Sequence, residues 1–315
     1  MQNLVERLLA KDIRAVAHAI SIAENGRQSS SHLLKQIYSN VGNAYRIGIT
    51  GPPGAGKSTI VNQAAKIIRN KNKRVGIIAV DPTSPFTGGA LLGDRIRMSE
   101  IGGDKDIFIR SMASRGSLGG LSKKVIDAAD ILDAAGYDYI LLETVGVGQS
   151  ELDIVKAADT TIVVLVPESG DSIQAMKAGL MEIADIFVIN KSDRPGAEQA
   201  LASLKTIMMM RTHDEETWIP GIIKTVATEN QGIPELFAEI NRHKEFLDDK
   251  NLLLKKREKQ TKNRIKEIVE DYIRDELWND DRENSLDSSL EKVVLGKLSP
   301  YRIAEELIEN FKKEI

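Results

Sequence analysis

The chain has 315 residues, a formal net charge of -3 and a sequence pI near 5.9, with no cysteine. Disulfides and thiolate metal sites are therefore excluded, and the slight acidity argues against nucleic acid or an anionic membrane as the main partner. The length allows one large domain with additions, or two domains, around a sizeable core.

No apolar run approaches the roughly 18 residues of a membrane span, and the opening MQNLVERLLA carries an acid and lacks a cleavage pattern. A cytoplasmic protein is expected. Residues 1–44 read as a helical extension. Leu4, Leu8 and Leu9, then Ile13, Val16, Ile20 and Ile22, recur near helical spacing, and Ser29, Ser30 and Ser31 offer N-caps for a helix carrying Leu33, Leu34 and Ile37.

From residue 45 the pattern changes. Short apolar runs at 46–50, 75–80, 107–111, 139–143, 161–166, 186–190 and 222–226 alternate with helical stretches, which predicts an α/β fold with a parallel sheet covered by helices on both faces. Between the first run and its helix stands GPPGAGKST, in which Gly51, Gly54, Gly56, Lys57 and Ser58 match the spacing of a phosphate-binding P-loop. Its glycines permit backbone N–H groups to turn toward phosphate oxygens, and the helix from Lys57 adds its positive end. The loop is expected to hold nucleotide through Gly54, Ala55, Gly56, Lys57, Ser58 and Thr59. Lys57 would reach the β- and γ-phosphates, and Ser58 would take one position on Mg²⁺.

Ligands in such sheets bind beyond the carboxyl ends of the strands, which is where further chemistry is sought. Asp81 follows one apolar run, Asp94 lies in the loop DPTSPFTGGALLGDRIRM, and Glu143 ends YDYILLE. These are the candidate metal carboxylates, some acting through water. Gly146 is placed to offer an N–H to the γ-phosphate. Gln149 either orients a water or holds a neighbouring loop. Asn190, Lys191 and Asp193 form N-K-x-D at the end of IFVIN. A carboxylate at Asp193 can accept from guanine N1–H and the exocyclic amine, whereas adenine presents no such donor pair. Lys191 can lie along the base and Asn190 can tie the loops together. Ala227, just past the last apolar run, is a candidate backbone donor to guanine O6.

After Gly232 the pattern is helical to the end. KKREKQTKNRIK reads as a solvated helix face beside a stripe of Ile265, Ile268, Val269, Tyr272 and Leu277, and Ser299 with Pro300 announces a last helix bearing Ile303, Leu307 and Phe311. The stripe either folds back on its own core or pairs with another copy. The organisation expected is a helical extension over 1–44, a P-loop domain over 45–248 and a helical tail over 249–315. His18, His32, His213 and His243 are scattered without ligand spacing and read as ordinary histidines. Met208 to Met210 and Trp218 read as a partner surface or, in preference, as core packing.

Together GPPGAGKST, DPTSPFTGGALLGDRIRM, SMASRGSLGGLS, ETVGVGQSE and NKSD resemble the MeaB/ArgK GTPases, metallochaperones associated with methylmalonyl-CoA mutase, of the SIMIBI class of P-loop proteins, over essentially the whole chain. The resemblance implies slow GTP hydrolysis with Mg²⁺ and a homodimer built through the helical tail. It also implies a cobalamin-dependent acyl-CoA mutase as partner, with adenosylcobalamin involved only through that enzyme. Lys57 and Ser58 match the phosphate and Mg²⁺ contacts, Asp81, Asp94 and Glu143 the acidic positions, and Asn190, Lys191 and Asp193 the guanine motif. Lys57, Asp94, Glu143 and Gln149 are the catalytic candidates. The chain departs from the family pattern at Ser114 and Ser117, where a threonine and a histidine are usual. Arg95, Arg97 and Arg115 lie in loops able to move toward the γ-phosphate, but read first as structural or partner-facing ion pairs. GTP and GDP are expected to hold residues 84–98 differently. The competing readings are a small-molecule or protein kinase, a nickel-insertion GTPase and an interaction protein with structural nucleotide.

Overall fold

The computed structural model describes residues 1–25, 27–82, 101–114, 120–144, 153–167, 178–209 and 217–314. They form two compact units, Met1–Lys256 and Arg257–Ile315.

The first unit is built on a seven-stranded sheet: β1 (Tyr45–Thr50), β2 (Val75–Pro82), β3 (Ile107–Ser114), β4 (Tyr139–Glu143), β5 (Thr160–Leu165), β6 (Ile186–Asn190) and β7 (Gly221–Thr225). Their spatial order is β3-β2-β4-β1-β5-β6-β7, and every neighbouring pair is parallel. Strands covered on both faces need apolar side chains on both, so β5 (TTIVVL) and β6 (IFVIN) are near-continuous apolar runs, buried along their whole length. Each apolar run read from the sequence became a strand. β2 and β3 extend further than their apolar cores, to Pro82 and Ser114, because each pairs with the other residue for residue to the end.

The helices of this unit are α1 (Gln2–Leu9), α2 (Ile13–Asn25), α3 (Arg27–Ile37), α4 (Lys57–Asn70), α5 (Gly120–Ala134), α6 (Ala178–Ile183), α7 (Ala197–Met209) and α8 (Ile233–Asp249). Alternate residues of each strand point to opposite faces. Ile47, Ile49, Leu141, Ile162 and Val188 pack beneath α4 and α8, while Ile78, Ile140 and Leu142 share a core with α2, α3 and α5. Val163, Leu165, Phe187 and Ile189 pack with α6 and α7. The amino-terminal helices are tied in by polar contacts as well. The Asp133 carboxylate accepts from the backbone N–H groups of Gly42, Asn43 and Ala44, and Arg46 bridges Asp130 and Asp133. Arg110 of β3 pairs with Glu24 of α2. Ser29, Ser30 and Ser31 do not cap α3. That helix already begins at Arg27 and the serines lie inside it.

The amino ends of β1, β5 and β6 meet in a buried polar network. Thr160 Oγ1 shares one hydrogen bond with the Tyr45 hydroxyl (2.6 Å) and another with His243 Nδ1 (2.8 Å). His243 Nε2 lies 3.6 Å from Asp185 Oδ1, and Asp185 Oδ2 accepts from the Thr161 N–H and from Lys256. Trp218 donates its indole N–H to the Asp185 carbonyl and packs against the His243 ring, 4.8 Å between centroids. Burial pushes the His243 pKa down to about 4, against the opposing pull of the Asp185 charge. The imidazole is thus neutral at ordinary pH, and His243 is an ordinary histidine of the core.

Helix α9 (Leu252–Leu277) begins in the first unit and continues into the second, which also holds α10 (Asp280–Val294) and α11 (Pro300–Glu314). Asn279 caps α10 by accepting from the Arg282 N–H, with Asp280, Asp281 and Glu283 in the first turn where the helix dipole favours them. Ser299 accepts from the Tyr301 N–H at the start of α11, as its position before Pro300 predicted. Ile303 and Leu307 are buried, and the Arg282 guanidinium lies over the Phe311 ring. Every residue of α9 is half-buried or exposed. Among the described residues no helix is long and apolar enough to cross a membrane.

Candidate functional site

The site forms at the carboxyl ends of the central strands. β1 lies between β4 and β5, so the chain turns to one side of β1 to lay down β2 to β4 and to the other for β5 to β7. At such a reversal two adjacent loops diverge and leave a crevice. The loop that enters it is GPPGAGK, between β1 and α4.

Two glycines there are required by close approach. A Cβ on Gly51 (φ 137°) would lie 2.1 Å from the Val164 carbonyl oxygen, and one on Gly56 (φ 91°) 2.3 Å from Asn190 Nδ2. Gly54 also has positive φ but faces open space: a Cβ there would meet nothing within 4 Å, which is the room a phosphate group needs. No side chain caps the amino end of α4 among the described residues, so its first N–H groups face the same crevice. Lys57 is buried, and its ammonium donates to the carbonyls of Gly51 (2.8 Å) and Pro52 (2.9 Å). The cation is thereby held against the loop it serves. Ala55 is buried and Thr59 half-buried, one residue beyond Ser58 in the first turn of α4.

The Ser58 hydroxyl donates to Glu143 Oε1 at 2.6 Å. Glu143 is the last residue of β4 and is buried, so strand register alone brings its carboxylate to the start of α4. A hydroxyl beside a carboxylate is a hard oxygen donor pair, and it fits Mg²⁺ better than it fits a soft metal. Thr144 continues the connection: its hydroxyl donates to Thr50 Oγ1 (2.9 Å) and its N–H to the Ile49 carbonyl (3.1 Å). Thr144 is therefore tied to the strand that launches the phosphate loop.

Asn190 is the hub of the other half. Its Nδ2 donates to the Ala55 carbonyl (2.8 Å), while its Oδ1 accepts from the Thr225 hydroxyl (3.0 Å) and the Ala227 N–H (3.1 Å). One buried amide thus joins the phosphate loop to the turn after β7. Lys191 adopts a left-handed conformation (φ 56°), which turns the chain out of β6 and leaves Asp193 exposed. The Ala227 N–H, expected to face guanine, is engaged by Asn190 here.

The structure brings Lys57, Ser58, Glu143, Asn190 and Ala227 into one region. Asp94, Gly146 and Gln149 lie outside the described residues, as do Arg95, Arg97, Arg115, Ser117, Met210 and His213. Asp81 is described as the penultimate residue of β2, opposite Ala113, and its side chain is outside that description. Sequence reading missed Thr50, Thr144, Thr225 and Gln63, whose Nε2 donates to the Ala227 carbonyl at 3.3 Å. Each is a single polar residue without a motif around it, and only its partner reveals it.

Comparison with known proteins adds an independent line. Residues 14–282 match the family model described as methylmalonyl Co-A mutase-associated GTPase MeaB. A Pyrococcus abyssi protein named as a GTPase is 47% identical over 311 residues, spanning 98% of this chain and 96% of its own. The GTPase ArgK of Escherichia coli is 34% identical over 320 residues, covering 97% and 95%. The mouse methylmalonic aciduria type A homolog is 33% identical over 333 residues, covering 99% and 80%. Among solved structures, a LAO/AO transport system kinase superposes with a TM-score of 0.74 at 28% identity, over 99% of this chain and 97% of that one.

Proposed function

The chain belongs to the MeaB family of GTPases, and from that premise we propose that it is a GTP-driven chaperone for a cobalamin-dependent acyl-CoA mutase. It hydrolyses GTP; the proposal concerns which residues do so and what the turnover serves. Gating of adenosylcobalamin transfer and protection of a mutase of the methylmalonyl-CoA type would be that service. The observation supporting the nucleotide reading most strongly is Asn190, whose one amide joins the phosphate loop at Ala55 to the turn at Thr225 and Ala227.

In this reading Gly54, Ala55, Gly56, Ser58 and Thr59 offer backbone N–H groups to the phosphates. Lys57 leaves the carbonyls of Gly51 and Pro52 for the β- and γ-phosphate oxygens, trading two neutral acceptors for charged ones. Ser58 and Glu143, with Asp81 and Asp94, would hold Mg²⁺, which when bound neutralises developing charge on the phosphates. Gly146 supplies an N–H to the γ-phosphate and Gln149 orients the attacking water. Lys191 lies along the base and Asp193 accepts from guanine N1–H and its amine, for which its exposure leaves it accessible. Catalysis is then positioning and charge stabilisation with no dedicated base, which accounts for a slow rate without a partner.

The organisation proposed is the extension 1–44, the GTPase domain 45–248 and the tail 249–315 of a cytoplasmic homodimer. The tail supports this through its apolar residues: Ile265, Ile268, Val269 and Tyr272 recur along one side of α9, and all are exposed. Sedimentation should give a dimer for the full chain; a concentration-independent monomer would remove this part.

Turnover decides the main proposal. GTP hydrolysis should be slow alone, rise when an adenosylcobalamin-dependent acyl-CoA mutase is added, and not be matched by ATP. Unchanged turnover on adding mutase, or phosphate transfer from ATP to an amino acid or protein, would replace the chaperone reading with a different activity on the same site.

A further inference from the structure

The backbone of Ala227 is held on both sides. Its N–H donates to Asn190 Oδ1 (3.1 Å), and its carbonyl accepts from Gln63 Nε2 (3.3 Å). These two bonds differ in origin. Asn190 stands at the end of β6 within the N-K-x-D motif, whereas Gln63 lies on α4, the helix that begins with Lys57 and Ser58. Residues 57 and 63 are six apart on α4, so Lys57 sits at the phosphate end while Gln63 reaches sideways to the turn after β7. The phosphate loop and the turn are therefore cross-braced twice, once through Asn190 and once through the helix itself.

The N–H belongs to the peptide unit shared with Val226 and the carbonyl to the next one, shared with Thr228, so the two bonds set adjacent peptide planes and with them the backbone angles of Ala227. The carbonyl also accepts from the Asn230 N–H (3.3 Å) within the turn Ala227–Glu229, and Gln63 ties that turn to α4. Gln63 is half-buried, so its amide has water available and is not forced into this contact by desolvation. The packing beneath it is already made by Ile60, Ala64 and Ile68 on the buried side of α4, which assigns the Gln63 side chain no share of the core.

We infer that Gln63 is a positioning residue for the guanine end of the site: by holding the Ala227 carbonyl it orders the turn against which the base docks, and so sets how long nucleotide stays bound. This rests on the reading that the base sits beside Asn190, Asp193 and Ala227. It requires no contact between Gln63 and nucleotide. Its effect belongs to binding, and the hydrolytic step at Lys57 and Ser58 is served by other groups.

The test uses the full chain and a fluorescent ribose-labelled GDP, with dissociation followed after adding excess unlabelled GDP. Gln63→Ala and Gln63→Met both remove the donor, the second keeping most of the side-chain volume. Both should release GDP about three- to tenfold faster, the scale of one lost hydrogen bond. The KM for GTP should rise by a similar factor and kcat should change by less than about twofold. Gln63→Glu places an acceptor against the carbonyl and should dissociate faster still. Combined with Asn190→Ala, the second substitution should add much less than it does alone, because both bonds act on the backbone of one residue. Unchanged dissociation in Gln63→Ala and Gln63→Met, with wild-type binding intact, would overturn the inference and leave the site reading standing. Failure of the wild-type protein to bind labelled GDP would overturn the site reading instead. A fall in melting temperature with unchanged dissociation would make Gln63 merely structural.

Discussion

The two ends of the central strands are built from similar side chains and put to opposite use. At the amino ends of β1, β5 and β6, Tyr45, Thr160, His243, Asp185 and Lys256 satisfy one another in a network sealed by Trp218. At the carboxyl ends of the same strands, Asn190 joins the phosphate loop to the turn after β7, Lys57 is held by the Gly51 and Pro52 carbonyls, and Asp193 is exposed. One end is covered by Trp218, whereas the other leaves Gly54 and Asp193 open, which the proposed function assigns to a ligand. Neither burial nor pairing within the protein therefore distinguishes structure from function, since the buried polar groups at both ends are hydrogen-bonded.

Breaking the carboxyl end should cost activity and spare the fold. Lys57→Ala should lower GTP turnover by about a thousandfold, the upper range for removing one charged stabilising group, while the melting temperature of the nucleotide-free protein stays within a few degrees of wild type. A comparable loss of melting temperature would show that Lys57 holds the loop as much as the phosphates. The amino end should respond to pH. His243 has a folded pKa of about 4 against an ordinary value of 6.5, so its contribution is present in full above pH 6.5 and is lost as pH falls from 6.5 toward 4. The loss should reach about 3 kcal/mol, and chemical denaturation across that range should lose this slope in His243→Gln.

Asp193→Asn comes next. An amide cannot accept from both guanine donors, so GTP affinity should fall by about a hundredfold, with xanthosine triphosphate gaining relative to GTP. Equal loss for both nucleotides would move the base elsewhere. The smallest effect should come from Thr160→Val, which leaves the Tyr45 hydroxyl and His243 Nδ1 without their shared partner. Stability should drop by about 1–3 kcal/mol with GDP affinity unchanged. A shift in GDP affinity would mean that the two ends communicate along the strands, and the comparison would have to be redrawn.

Much of the fold was legible because its strands are buried on both faces. A strand such as β5 must be apolar at successive positions, and a run of that kind between helical stretches has few other uses. The ends were less legible. β3 runs on to Ser114 because pairing with β2 continues after the apolar pattern stops, and α3 starts at Arg27 although the serines that follow look like caps. In the site, the motif residues could be proposed from the sequence since phosphate and guanine chemistry demands particular types at fixed spacing. Thr50 with Thr144, and Gln63 with Ala227, lie 94 and 164 residues apart, and no local pattern announces either contact.

The sequence by itself determined the class of fold and the phosphate loop, and proposed the residues suited to guanine, because each of these rests on local chemistry: side-chain period, glycine at positive φ, a carboxylate after a strand. The tertiary structure alone decided which separated groups meet. Strand order sets Glu143 against Ser58, and one amide of Asn190 across Ala55, Thr225 and Ala227. The amino ends of those same strands enclose His243 in a network that keeps it neutral. Contacts of this kind depend on the register of parallel strands laid down far apart in the chain, and register is fixed by packing over the whole sheet and not by any one segment.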